Sequence, residues 1–396
     1  MAMSCATRER VIASRKLEAS TLLTPDIYSW YRQQLDVCRM RYDERRSSWM
    51  VFGYAEVQQV LLDTDTFSSE RTFKTDGSVD EIRGAGMLGL DPPRHRQLRA
   101  LVVQAFTQKR VGALEPRIQA LTANLIDRMQ EEEGVDIVDA LAFPLPVMVI
   151  AELLGIPTTD REQFRSWTSD MVGADYDLRM QGFGKMATYF EAVITEHMRS
   201  PKENLISELL NAEIGGERLR KADVVGTCLL LLAAGHETTA TLIGNALWCL
   251  EEHPEARAEV LRHPEVLPRA IEEVLRFRSV VHWLPRVVRR DIQFLGCHLS
   301  EGDLILPVFA AANRDGAQFP DPDRFDIHRS PNRHLGFGHG LHLCLGASLA
   351  RLEAKIALGE LLRRFPRMRR DKERPAALRP SSFVFSFDHY PVRLRG

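Results

Sequence analysis

Apolar positions recur every three to four residues along most of the chain, which predicts helices over 111–132, 143–154, 163–172, 182–198, 221–252, 254–261, 268–277 and 347–365. Strict alternation is confined to short pieces. They are "SWMVFG" early, "RVVRRDIQFLGCHL" and "DLILPVF" later, and "SFVFSF" near the end. Runs of helices with a few clustered hairpins predict a mainly α fold with a small β portion. The connection "AANRDGAQFPDPDRFDIHRSPNRHLGFGHG" is rich in turn residues and poor in periodicity. Irregular segments of that length inside a folded unit usually carry function. No repeat, low-complexity stretch or Gly/Ser linker divides the chain, so residues 1–396 are expected to form one domain.

Composition changes this picture only by exclusion. With 396 residues, 44% hydrophobic and 27% charged, the chain reads as an ordinary globular protein. A net charge of −2 supplies no general attraction to nucleic acid or to an anionic membrane. The six cysteines, at 5, 38, 228, 249, 297 and 344, are scattered and form no C-x-x-C. That spacing argues against a disulfide framework, a structural zinc site or covalent haem attachment, and fits a reducing compartment. The first twenty residues carry charges where a secretion signal needs an apolar core, and the longest apolar run, 224–235, is too short to cross a bilayer. A soluble, cytoplasmic protein is expected, without nucleic-acid or membrane partners.

Candidate chemistry gathers in "HLGFGHGLHLCLGASLARLEA", where Cys344 sits among glycines directly ahead of a predicted helix. A lone cysteine is commonly just a small buried hydrophobe. A cysteine held as a thiolate is favoured at a helix N-terminus, where free N–H groups and the helix dipole stabilise negative charge. Gly340 and Gly346 let the backbone turn tightly and come close to something large and flat, such as a haem with an axial cysteine. A cysteine nucleophile with His339 or His342 as base is the competing chemistry, but no oxyanion motif accompanies it.

Phe337, Gly340, His342, Cys344 and Gly346 match F-x-x-G-x-[HR]-x-C-x-G at all five fixed positions. The chain thereby resembles the cytochromes P-450, the haem-thiolate monooxygenases, in their soluble bacterial form. The likeness extends over essentially the whole sequence, through "DPPRHRQLR", "LLAAGHETTA", "EEVLRF" and "FPDPDRFD". Two departures are minor: Gly316 stands where proline is usual after "NRD", and His282 and Trp283 lie in a segment that faces substrate.

The resemblance implies a cytochrome P-450 fold around a buried haem b (iron protoporphyrin IX), with Cys344 as the iron ligand. Phe337, Gly340 and Gly346 would shape its cradle, while His95, Arg99, Arg286 and His342 would meet the propionates. In "AGHET", Ala234 and Gly235 would make room beside the haem at a kink of the long helix. Glu237 and Thr238 would be the catalytic acid–alcohol pair that delivers protons for O–O cleavage. By themselves these residues read as a slightly weakened core helix with threonines bonded back to the backbone. Glu273 and Arg276, three apart and so on one helix face, otherwise resemble a surface ion pair; the family likeness makes them a buried structural network completed by Arg324.

By the same likeness, the substrate is a hydrophobic small molecule of the fatty acid, terpenoid, steroid or polyketide class, and one atom of dioxygen is inserted into an unactivated C–H. Leu230, Val280, Val281, Trp283, Leu284 and Phe383 would line its pocket. His282 and Arg71 are candidate anchors for a polar end, and 66–90 is a candidate moving segment. The haem domain accounts for the whole chain, so electrons are expected from a separate ferredoxin and its NAD(P)H-dependent reductase. That carrier would dock on a basic face built from Arg94, Arg96, Arg99, Arg351 and Lys355. A peroxide-dependent haem-thiolate peroxygenase is the alternative within the class, with Glu237 and Thr238 arguing against it. A haem sensor would need an effector or DNA-binding region, and a cysteine hydrolase would be colourless.

Overall fold

The protein's structure, a computed structural model, describes residues 27–70, 86–172, 175–381 and 383–395. Within them the helices are α1 Ile27–Val37, α2 Tyr54–Leu62, α3 Arg94–Val102, α4 Gln108–Ala113, α5 Glu115–Asp127, α6 Pro144–Leu154, α7 Arg161–Val172 and α8 Tyr176–Arg199. They continue with α9 Leu205–Leu210, α10 Lys221–Glu252, α11 Pro254–Arg262, α12 Leu267–Phe277, α13 Phe309–Ala312 and α14 Ala347–Arg364.

Helix α10 organises the rest. It buries residues on every side, including Val224, Leu229, Leu232, His236, Leu242, Ile243 and Leu250, as a helix enclosed by protein should. It packs against α6, α8, α12 and α14, and their apolar faces form the largest core cluster. Helix α6 is stopped sharply because Gly155 takes up the left-handed conformation at φ +78°, which caps the helix on Ala151 and Glu152.

The β portion is small and nonlocal. Strands β1 Met40–Asp43, β2 Ser48–Val51 and β3 Phe67–Ser68 come from the first part of the chain, and β7 Arg286–Val288 and β10 Leu304–Pro307 from the last third. They form one five-stranded sheet in the order β1-β2-β10-β7-β3, with β2 and β10 parallel and Ile305 opposite Trp49. A hairpin of β8 Ile292–Phe294 and β9 Cys297–Leu299 adjoins it in sequence. Short strands β4 Gly134–Asp136, β11 Arg369–Arg370, β12 Ala377–Leu378, β13 Phe387–His389 and β14 Pro391–Arg393 lie elsewhere, with a two-residue hairpin of β5 Glu213–Ile214 and β6 Glu217–Arg218.

One predicted strand is not there. Of "SFVFSF", only Phe387 falls in a strand, and Val384 makes an isolated bridge to Val281. Val384, Phe385, Ser386 and Phe387 are all buried, so the segment has no solvent face for its alternation to mark. The 311–340 connection is irregular as expected, apart from the end of the single turn of α13 at its start.

Candidate haem-thiolate site

The cysteine loop is built by two left-handed glycines. Gly338 and Gly340 have φ of +74° and +69°, and a Cβ on Gly340 would fall 3.2 Å from the Leu61 carbonyl oxygen. A 3-10 turn over Gly340–His342 follows, and Cys344 N–H donates to the Phe337 carbonyl at 2.9 Å. The thiol is delivered two residues ahead of α14. Cys344 is exposed, whereas Cys228 and Cys249 are buried, so it is not a packing cysteine. Gly346 has an ordinary φ of −86°, and a Cβ there would meet no protein atom within 4 Å. Packing within the chain therefore does not demand this glycine; it keeps the floor beside the thiol flat.

The thiol itself behaves differently from expectation. Desolvation pushes its pKa up, and the Gly346 backbone with the charges of Arg99 and Arg351 pulls it down without prevailing. A coordinating metal ion deprotonates a thiol outright.

Beside the loop stands a group of cations and imidazoles short of partners. His95 is wholly buried on α3, and neither ring nitrogen has a hydrogen-bond partner. Its ring centroid lies 4.3 Å from that of His342, whose Nε2 meets Ser69 Oγ at 2.9 Å. Arg286 is 3% exposed, and its Nη1 donates to the carbonyl of Pro285. Arg99, one turn beyond His95, donates to the Leu343 carbonyl at 2.7 Å.

Burial followed by mutual repulsion sets the electrostatics. His95 falls to about 4 through desolvation and then the Arg99 charge, and His342 to about 3 through desolvation and then Arg286. Arg286 drops to about 10 through desolvation, with Asp91 the carboxylate that opposes it. Asp91 is already committed to Ser68, the Ser69 N–H and Arg289. With the imidazoles neutral, Arg99 and Arg286 carry the positive charge of the cluster, and the nearby carboxylate Asp91 is taken up by Arg289, which suits two further carboxylates.

On α10 the "AGHET" motif does not interrupt the helical hydrogen bonding, where the sequence predicted a kink. Thr238 Oγ1 donates back to Ala234 O at 2.7 Å, and Thr239 to Gly235 O at 3.0 Å. Ala234 is exposed although most of α10 is buried, and Gly235 is half-buried with Ile150 3.4 Å from a notional Cβ. Glu237 and Thr238 have different partners: the carboxylate accepts from Arg379 Nη1 at 2.9 Å. His236, fully buried, bonds Thr168 on α7 and Leu232 O, and is kept neutral by desolvation.

The network on α12 is fully connected, with one correction to its membership. Arg276 grips Glu273 through Nε and Nη2 at 2.8 and 2.7 Å, and donates to the carbonyls of Asn313, Pro322 and Arg324. Arg324 contributes only that carbonyl, because the turn at Asp321 directs its side chain to solvent. The third arginine is Arg329, 8% exposed, whose Nε lies 3.4 Å from Glu273 Oε1. Sequence inspection missed it because a loop arginine carries no periodic signal.

The supposed polar anchor His282 is also reassigned. It is wholly buried, with Tyr28 and Tyr31 hydroxyls at 3.2 and 3.0 Å from its two ring nitrogens and Phe385 stacked on it. Leu230, Val281, Trp283, Leu284 and Phe383 are half-buried, and Trp283 meets Phe383 at 5.7 Å between centroids. Val280, by contrast, belongs to the closed core. Arg71 and most of 66–90 lie outside the described residues. Of the basic-face residues, Arg94 pairs with Asp223 and Arg351 with Glu272, the latter also covering the Phe337 ring at 4.4 Å; Arg96 and Lys355 are exposed.

An accessible thiol, a flat glycine floor, a buried arginine and a buried imidazole with no hydrogen-bond partner fit a haem bearing two propionates. Comparisons with known proteins agree. The cytochrome P450 family model matches residues 24–172 and 164–387. Cytochrome P450 107B1 of Saccharopolyspora erythraea is 41% identical over 346 residues, covering 84% of this chain and 85% of its own. Erythromycin C-12 hydroxylase from the same organism is 37% identical over 367 residues, covering 89% and 90%. The crystal structure of CYP109E1 from Bacillus megaterium with testosterone superposes with a TM-score of 0.90, at 38% identity and 94% and 98% coverage. Among the described residues, no helix is long and apolar enough to cross a membrane.

Proposed function

From the premise that the chain belongs to the cytochrome P450 family and is a monooxygenase, we propose that it hydroxylates an unactivated C–H of a hydrophobic small molecule. The overall reaction is RH + O₂ + 2e⁻ + 2H⁺ → ROH + H₂O. The cofactor is haem b, and bound through a thiolate it supplies the oxidising chemistry and favours heterolytic O–O cleavage. The observation that carries this reading is the exposed Cys344 in one loop with half-buried His342, whose ring lies against buried His95, with no hydrogen-bond partner on either ring nitrogen, and beside buried Arg286.

Each residue then has a task. Cys344 would supply the sulfur that holds the haem iron, and Phe337, Gly340 and Gly346 fix the loop that presents it. Arg99, Arg286, His95 and His342 would hold the propionates. Glu237 and Thr238 hand on the two protons, the hydroxyl of Thr238 leaving Ala234 O to do so. Ala234 and Gly235 keep the α10 surface low beside the reacting atoms.

The half-buried Leu230, Val281, Trp283, Leu284 and Phe383 support an apolar substrate, orient it and exclude water. The relatives' substrates support a macrolide- or steroid-like guest. Electrons come from a cytoplasmic ferredoxin and its NAD(P)H-dependent reductase, for which exposed Arg96 and Lys355 offer a docking charge.

The test is the absorption spectrum of the dithionite-reduced protein under carbon monoxide, beside Cys344→Ser. A strongly red-shifted Soret band present only in the parent is expected. A colourless parent, or a band that survives the substitution, contradicts the assignment.

A further inference from the structure

The Glu237 carboxylate meets the C-terminal hairpin segment. Its Oε2 accepts from Arg379 Nη1 at 2.9 Å, and Arg379 Nε donates to Asp388 Oδ1 at 2.7 Å. The Glu237 and Arg379 side chains are 5% and 8% exposed, whereas that of Asp388 is 39% exposed. One arginine therefore links an interior carboxylate to a second carboxylate in contact with solvent. A cavity of about 10 Å³ adjoins the pair, walled by Val138, Phe143, Ala240, Thr241 and Phe387. That is roughly the room one water needs, and two polar side chains face it.

Ion pairs buried only for stability are poor value against apolar packing. Here the buried pair lies next to Thr238 in sequence and ends at the surface, which points to proton traffic. A guanidinium does not give up a proton at ordinary pH, so Arg379 is no relay. It pairs with the Glu237 carboxylate beside the cavity that both side chains line.

We propose that Asp388 and Arg379 form the outer half of the proton inlet to Glu237. Asp388 takes a proton from solvent, a water in the cavity carries it to Glu237 Oε2, and Arg379 is the positioning residue that keeps Glu237 at the inlet until then. Once neutral, Glu237 is held less tightly by Arg379 and turns toward Thr238, to which it releases the proton. Each carboxylate gains and loses one proton per passage, and no electrons move. The other charges around this route are accounted for. His236, adjacent on α10, is held neutral by burial, and Arg165, above the Phe143 ring, is paired with Asp139. The inlet rests on the monooxygenase reading and on Glu237 as its acid.

The test uses the holoenzyme reduced by a [2Fe–2S] ferredoxin and its reductase. It reads the share of consumed oxygen released as hydrogen peroxide and the solvent isotope effect. Alongside runs an infrared measurement of the Glu237 carboxylate band, identified by its loss in Glu237→Gln. Asp388→Asn, at the surface, is expected to raise the peroxide share and the isotope effect about twofold with the carbon monoxide spectrum unchanged. Arg379→Gln should do the same and shift the Glu237 carboxylate band, by breaking the hydrogen bond from Arg379 Nη1, with Arg379→Lys restoring both. Should Glu237→Gln raise the peroxide share while Asp388→Asn leaves it at the parent value, the inlet is wrong and Glu237 keeps its role. A parent-like Glu237→Gln would overturn both.

Discussion

Two groups of buried charge in this molecule contrast sharply. Around Glu273 and Arg276 both carboxylate oxygens and the guanidinium nitrogens are engaged within the chain, by Arg329, Asn332, the Asp326 N–H and three carbonyls. Around His95, Arg286 and His342, both His95 ring nitrogens are buried without a partner and the basic groups are forced below their ordinary pKa values by desolvation. Self-sufficient buried charge is scaffold; buried charge left short of counter-ions marks the place of a ligand.

The contrast breaks most visibly at Arg276. Arg276→Met leaves Glu273 buried and unpaired, at a cost of about 3–5 kcal/mol, enough to prevent recovery of folded haem protein. A denaturation midpoint equal to the parent's would contradict the scaffold role.

Next come two buried groups with opposite pH behaviour. His282 is held at about 3 by desolvation, so its native interactions are at full strength above the unfolded value near 6.5 and are lost as pH falls toward 3. Glu353, its Oε2 unpartnered, is raised to about 8 by desolvation, so its contribution is complete below about 4.5 and is lost as pH rises through 8. Compared with His282→Asn, the parent should lose about 2 kcal/mol between pH 6.5 and 5; compared with Glu353→Gln, about 2 kcal/mol between pH 6 and 8. Urea titrations across pH would show parallel curves if either group is silent.

At Arg286 the expectation turns round. Arg286→Met removes a desolvated cation, so the apoprotein should melt no earlier, while haem loss to apomyoglobin accelerates about tenfold. A destabilised apoprotein with unchanged haem retention would move Arg286 into the scaffold group. The smallest effect separates the two loop arginines: Arg329→Ala should cost about 1 kcal/mol and Arg324→Ala within about 0.5 kcal/mol. Reversal of that order in chemical denaturation would restore Arg324 to the network.

Local pattern carried much of this architecture. The periodicity of 221–252 gives α10 with both ends correct, and 347–365 gives α14 to within one residue. Helices α1, α2 and α9, of 11, 9 and 6 residues, were not legible, because over two or three turns a helical repeat is hard to tell from a short apolar run. For the site, motif spacing located Cys344, His95 and Arg286. It misread side-chain direction, which depends on contacts far away in sequence: Arg324 points outward because of one turn, and His282 is taken up by tyrosines some 250 residues earlier. Arg379 and Asp388 carried no motif; only the fold brings them to Glu237.

The parallel pairing of β2 with β10 also dictates a timetable. Trp49 leaves the ribosome about 250 residues before its partner Ile305 exists. At roughly 5–20 residues per second, β2 waits on the order of ten to fifty seconds with one edge unpaired. Over that interval the nascent chain carries a strand of four residues, all buried in the finished sheet, that any other apolar strand can join. The rate of synthesis, and holdase chaperones that cover residues 48–51 meanwhile, therefore govern how much of this enzyme reaches its folded state.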